Sequence, residues 1–238
     1  ASRVADGLTD DTLSLTLSRR PVAGITLPDV LQWCRPTPGV LAVAGGKGGV
    51  GRTTTTLGLA AAAARVGYTP VVVDANRDCP DLARRAGVDA SGVETLAAHG
   101  PLSEAGETTD GITVVGASYE TPTADYESAL ARLAESPRPV FIDCPAGAGP
   151  DATRPLRVAS RTVLVTTATE RAVRAAEKTD AMARRLDAPP IVTVATRAEN
   201  SGPARRLRPA LTATIPTVDR PAWRHAGRAY DRLWRRLV

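Results

Sequence analysis

Aromatic residues are scarce in this chain, which has one Phe, three Trp and four Tyr among 238 residues. Val, Leu, Ile and Ala must therefore fill any interior. With 43% hydrophobic and 23% charged residues, there is apolar material enough for a sizeable core, which excludes a disordered chain. Lysine is nearly absent: Lys47 and Lys178 stand alone, and Arg supplies the rest of the positive charge, for which a codon-composition bias is the plain reading. Cys34, Cys79 and Cys144 are odd in number, widely spaced and never arranged as C-x-x-C. That excludes a disulfide framework and a zinc or iron–sulfur site, and the three read as reduced, small hydrophobes. His99 and His225 have neither ligand spacing nor a neighbouring nucleophile, and are expected at the surface. The longest apolar stretch, "LGLAAAAARV", falls short of the roughly 20 residues a membrane span needs. No basic-then-apolar leader opens the sequence, so a soluble, cytoplasmic chain is expected. Internal repeats and low-complexity tracts are also missing.

What is present falls into two parts. Residues 1–38 form an N-terminal extension in which Leu13, Leu15 and Leu17 alternate at period two, an expected edge strand, followed by a short "LPDVLQWC" helix among Pro21, Pro28, Pro36 and Pro38. Residues 39–238 alternate short apolar runs ("VLAVA", "PVVVD", "GITVVGA", "PVFID", "RTVLVTT", "PIVTVA", "TATIP") with helical stretches. "ADYESALARLAE" and "ERAVRAAEKTDAMARRL" carry apolar residues three and four apart. This pattern predicts an α/β fold: a doubly wound, mostly parallel sheet flanked by helices, one domain over 39–238. Ligands of such sheets bind beyond the C-terminal strand ends, so residues just after each apolar run are the candidates for chemistry.

The first of these positions is "GGKGGVGRTTTT", between an expected strand and an expected helix. Gly46, Gly48, Gly49 and Gly51 permit backbone angles and close approaches that side chains forbid, and their amides with the helix N-terminus make an anion cradle. Gly46 to Thr53 matches G-x-x-x-x-G-K-[ST] except for Arg52 at the lysine.

The run Lys47-Gly48-Gly49-Val50-Gly51-Arg52-Thr53-Thr54 resembles the deviant Walker A motif, K-G-G-[TV]-G-K-[ST]-[ST], of the ParA/MinD family of P-loop ATPases. The resemblance extends from Val40 onward, about 200 residues, and implies a P-loop NTPase fold with ATP and Mg²⁺ as cofactors. It implies that Lys47 reaches the phosphates of a nucleotide held by the opposite subunit of a homodimer. "PVFIDCPAG" looks like the family's Walker B strand, so that Thr53 would ligate magnesium directly and Asp143 hold it through water. "PVVVDANRDCPDL" resembles the second strand and switch, usually D-x-D, with Asp74 as the first carboxylate.

Three departures bear on turnover. Arg52 stands where a lysine bridges β- and γ-phosphates, and its planar fork is bulkier and spreads its charge. Asn76 takes the second position of D-x-D; an amide can hold water but cannot accept its proton, and losing a positioned base commonly costs about 10²–10⁴ in rate. Thr196, before Arg197, occupies the place of the family's adenine-reading Asn, which leaves base preference open. These changes imply hydrolysis that is weak or lost.

From Arg197 onward, ten Arg face only Glu199, Asp219 and Asp231, about +7, within a net charge of +5. In "RPAWRHAGRAYDRLWRRLV" a helix would put Tyr230, Leu233, Trp234 and Leu237 on one face and Asp231, Arg232, Arg235 and Arg236 on the other. The first reading is a terminal helix packed on the domain. The others are non-specific DNA binding through the Arg face and a membrane anchor, against which the lack of a flexible spacer counts. The leading expectation is thus an ATP-binding switch, dimerising around nucleotide, in chromosome or plasmid partitioning or cell positioning. The alternative is a non-hydrolysing scaffold or regulator acting through a protein partner; cluster-carrying relatives need paired cysteines that are missing here.

Overall fold

In strand β1 (Val40–Ala44) all five residues are buried, Leu41 and Val43 packing to one side of a sheet and Val40, Ala42 and Ala44 to the other. A strand covered on both faces reads as an unbroken apolar run, which is why this and its neighbours stand out in the sequence. The computed structural model describes residues 39–90, 92–147, 149–198, 202–207, 211–217 and 222–238. The edge strand and helix expected within residues 1–38, and Cys34, lie outside the described residues.

Among the described residues, eight strands form one sheet. After β1 come β2 (Val71–Asp74), β3 (Glu107–Thr109), β4 (Ile112–Val115), β5 (Val140–Asp143), β6 (Arg161–Thr167), β7 (Pro190–Thr196) and β8 (Leu211–Ile215), in the spatial order β3-β4-β2-β5-β1-β6-β7-β8. All pair in parallel except β3, which runs antiparallel to β4. The β3–β4 hairpin was not expected, because Glu-Thr-Thr has no apolar alternation. Asp110 and Gly111, at φ 49° and 76°, form the left-handed pair that a two-residue hairpin turn requires.

Helix α1 (Arg52–Arg65) follows β1 and covers one face with α2 (Leu82–Ala86), α8 (Ala222–His225) and α9 (Gly227–Trp234). The other face carries α3 (Val93–Ala97), α4 (Leu102–Ala105), α5 (Thr123–Ala134), α6 (Pro150–Val158) and α7 (Glu170–Arg185). Helix α6 escaped the periodicity reading because it contains Pro150 at its start and Pro155 within it. The few aromatics are pooled: Trp234 meets Tyr68 edge-on at 5.3 Å and Phe141 at 5.8 Å between ring centroids.

The terminal helix adopts the packed arrangement. Tyr230, Leu233, Trp234 and Leu237 are buried, Arg228, Arg232, Arg235 and Arg236 are exposed, and Asp231 pairs with Arg65 at the end of α1. The apolar face a membrane anchor would insert is therefore spent on α1. Among the described residues no helix is long and apolar enough to cross a membrane.

Candidate functional site

The glycine-rich loop joins β1 to α1 at the C-terminal end of the central strand, flanked by β5 and β6. Its glycines divide by purpose. A Cβ on Gly45 would stand 2.4 Å from the Val165 carbonyl oxygen, and one on Gly46 2.1 Å from that of Ala175, so these two are small because the domain packs against them. Gly48 and Gly49 have nothing within 4 Å of a would-be Cβ. No protein atom crowds either position, so the space above them is open. Gly49 and Gly51 hold φ of 73° and 91°, the left-handed values that let successive amides converge.

Gly51 caps α1 without a side-chain hydrogen bond, and no acidic residue stands in the first turn. The free amides and the positive end of a 14-residue helix thus face the loop uncompensated. Val50 is buried in the core, so it offers the cradle only its backbone, and Thr54 is half-buried. Lys47 is exposed on the loop and makes no hydrogen bond or ion pair among the described residues.

Asp143, at the end of β5, sits opposite Asp74 of β2 in register and beside Val43 of β1. It is buried, and its Oδ1 has no hydrogen-bond partner. Burial first, and the neighbouring Asp74 next, push its carboxyl up to about 7; the Thr53 hydroxyl and the charges of Arg52 and Arg85 act the other way. A buried carboxylate with an orphaned oxygen, facing a threonine hydroxyl at the helix start, is the hard-oxygen donor set that Mg²⁺ takes. Thr53 and Asp143 therefore fit that ion.

Asp74 is fully engaged. Its Oδ1 accepts the Asn76 amide at 2.9 Å, and its Oδ2 accepts those of Asp81 and Leu82 at 3.0 Å each. Desolvation raises its pKa in spite of these bonds. The carboxylate organises the loop from Ala75 to Leu82 from beneath. Asn76 donates its Nδ2 to the Cys79 carbonyl at 2.7 Å, closing a turn. A carboxylate could not make that bond.

Arg52 turns back on the loop: its Nη1 donates to the Gly45 carbonyl at 3.1 Å, bridging the loop's two ends. Thr196 is buried, with its hydroxyl on the Val50 carbonyl, and exposed Arg197 reaches the Gly49 carbonyl. The resemblance put Thr196 at the place of a base-reading Asn, with Arg197 next to it among the nucleotide-binding residues; in the structure both side chains contact the loop.

Sequence reasoning missed Arg77. Its guanidinium donates to the carbonyls of Tyr119 and Thr121 and to Thr123 Oγ1, and lies 5.5 Å from the centre of the Tyr126 ring. Its place directly after Asn76 was the available signal. Of the cysteines, Cys144 is the buried hydrophobe expected, whereas Cys79 is exposed in the turn and corrects that reading. His99 and His225 are at the surface.

Residues 41–222 match the family described as the CobQ/CobB/MinD/ParA nucleotide binding domain. The chain belongs to this family. A mostly parallel sheet opening on a P-loop is the architecture of its ATPases, and solved structures share it. The cell division ATPase MinD of Pyrococcus furiosus is 20% identical, over 84% of this chain and 98% of its own, with a TM-score of 0.66. The MinC:MinD cell division complex of Aquifex aeolicus aligns at 17% identity over 84% and 95%, TM-score 0.70. Cobyrinic acid a,c-diamide synthase of Mycobacterium smegmatis, with bound ADP and magnesium, aligns at 24% over 84% and 95%, TM-score 0.64. No curated protein sequence matches the chain. At these identities the likeness is one of fold.

Proposed function

We propose that this chain is a ParA/MinD-like ATP-binding switch whose hydrolysis is weak or lost. The observation that carries the proposal is the cradle itself: Gly48 and Gly49 leave open space above uncapped helix amides, next to the unpartnered buried Oδ1 of Asp143. The loop amides and the start of α1 bind the phosphate tail. Thr53 and Asp143 would hold Mg²⁺, which would supply positive charge against the phosphates. Lys47, exposed and unpaired, reaches a nucleotide on a second copy, so nucleotide state sets oligomeric state.

Two contacts favour slow chemistry. Arg52 is held at Gly45 and spreads its charge, and the Asn76 amide is spent on Cys79. Neither group supplies a base for water. These contacts also favour the second reading, a non-hydrolysing scaffold that holds nucleotide and acts through a protein partner. In the first reading the exposed arginines of α9 meet DNA phosphates, in a partitioning or positioning role in the cytoplasm.

Calorimetry with Mg²⁺ and ATP, joined to mass measurement in solution, tests the proposal. A complex whose formation shifts monomer to dimer supports the switch. A complex without that shift supports the scaffold, and no complex overturns both. Phosphate release should rise in Arg52→Lys/Asn76→Asp relative to the wild type; release at an ordinary ATPase rate by the wild type overturns the slow-hydrolysis claim.

A further inference from the structure

Two consecutive residues at the end of β7 are both spent on the carbonyl side of the glycine-rich loop. The Thr196 hydroxyl is 2.5 Å from the Val50 carbonyl oxygen and 3.3 Å from that of Thr166. Arg197 Nη2 is 2.5 Å from the Gly49 carbonyl oxygen. A trans peptide unit is planar, with its C=O and the following N–H pointing in opposite directions. Holding the carbonyls of Gly49 and Val50 toward β7 therefore turns the amides of Val50 and Gly51 away from β7.

Three further features agree. Gly51 approaches Thr196 so closely that a Cβ would lie 3.3 Å from its Oγ1 and Cγ2, so the loop is seated on this threonine. Arg197 adopts φ 50°, a strained angle for a residue with a side chain, which persists only where the surroundings hold it. The buried, unpartnered Asp143 Oδ1 marks a ligand position independently of the loop.

We infer that Thr196 and Arg197 are positioning residues that preset the loop's amides for a polyphosphate and read no base. The inference rests on the nucleotide-binding reading above and narrows it: these two residues act on the phosphate chain of a bound nucleoside triphosphate and not on its base. Preorganised donors spare the ligand the ordering of a flexible loop.

The test is calorimetry of the full chain with Mg²⁺ and, in turn, tripolyphosphate, ATP and GTP. Thr196→Val removes the hydroxyl at nearly constant shape, Arg197→Ala removes the fork, and Thr196→Ser keeps the hydroxyl. Thr196→Val and Arg197→Ala are expected to weaken all three ligands alike, by roughly fivefold to tenfold for one lost hydrogen bond, with Thr196→Ser near wild type. Loss confined to ATP or GTP, with tripolyphosphate unchanged, overturns the inference in favour of a base contact. Amide order parameters of Val50 and Gly51 in the ligand-free protein give a second readout. They should fall in Thr196→Val and Arg197→Ala and hold in Thr196→Ser; unchanged values overturn the inference. A wild type that binds none of the three ligands overturns the nucleotide reading, and the order parameters then decide the positioning role alone.

Discussion

Tyr230 of α9 lies where a side chain on Gly58 of α1 would have to go, its ring carbons 2.4–2.5 Å from the would-be Cβ. Its hydroxyl faces that of Thr55 one turn earlier, and burial pushes its pKa up to about 12. Gly58 is the hole into which the terminal helix docks. Alanine in a helix interior is favoured over glycine by about 1 kcal/mol, but forcing a methyl into a packed site costs about 1–3 kcal/mol. Gly58→Ala should therefore destabilise the chain in urea unfolding, and the same change in a Tyr230→Ala background should stabilise it.

The Asp143 carboxyl gives a pH dependence with a definite sign. Its folded value of about 7 exceeds the unfolded value of about 3.9, so between these limits the folded chain binds more protons than the unfolded one. Stability of the ligand-free protein should fall as pH rises across that window and level off above it. Asp143→Asn should melt higher than wild type above pH 7, with the difference vanishing toward pH 4, and should lose the magnesium dependence of nucleotide binding. A melting difference that grows toward acid would refute this.

Arg77 ties the loop after β2 to the loop after β4. Arg77→Met keeps an apolar stem of similar length but removes the guanidinium facing Tyr126 and its three donated hydrogen bonds, and should cost about 1–3 kcal/mol. Tyr119, 73% exposed in the released loop, should then be cut faster by chymotrypsin than in the wild type.

Arg228, Arg232 and Arg235 share one exposed face of α9 and its last turn. If they meet DNA phosphates, replacing all three by Ala should flatten the dependence of log affinity on log salt for random duplex DNA by about two to three. Their exposure means that unfolding should be almost unaffected, and an unchanged salt slope would move any DNA contact elsewhere.

The sheet was legible because its inner strands are apolar on both faces, and the loop because Gly46 to Thr53 follows a spacing that few chains meet by chance. Glu107–Thr109 was not, since a short edge strand carries no apolar pattern, although Asp110-Gly111 announced the hairpin. The fate of side chains at the site was hidden for a different reason. Thr196 meets Val50 only because β7 lies two strands from β1, and Arg52 meets Gly45 only because the loop curls back on itself. Residue type and spacing locate such groups but do not say which carbonyl captures them.

Helix α1, which begins at the phosphate cradle, is roofed by residues from Trp223 to Leu237, some 165 positions further along the chain. A nascent chain that has formed β1, the loop and α1 still presents the Gly58 side of α1 to solvent until that distant stretch arrives. Closing so wide a gap is entropically slow. The cradle should therefore be among the last parts of the molecule to mature, its competence reporting that the whole polypeptide has found its place.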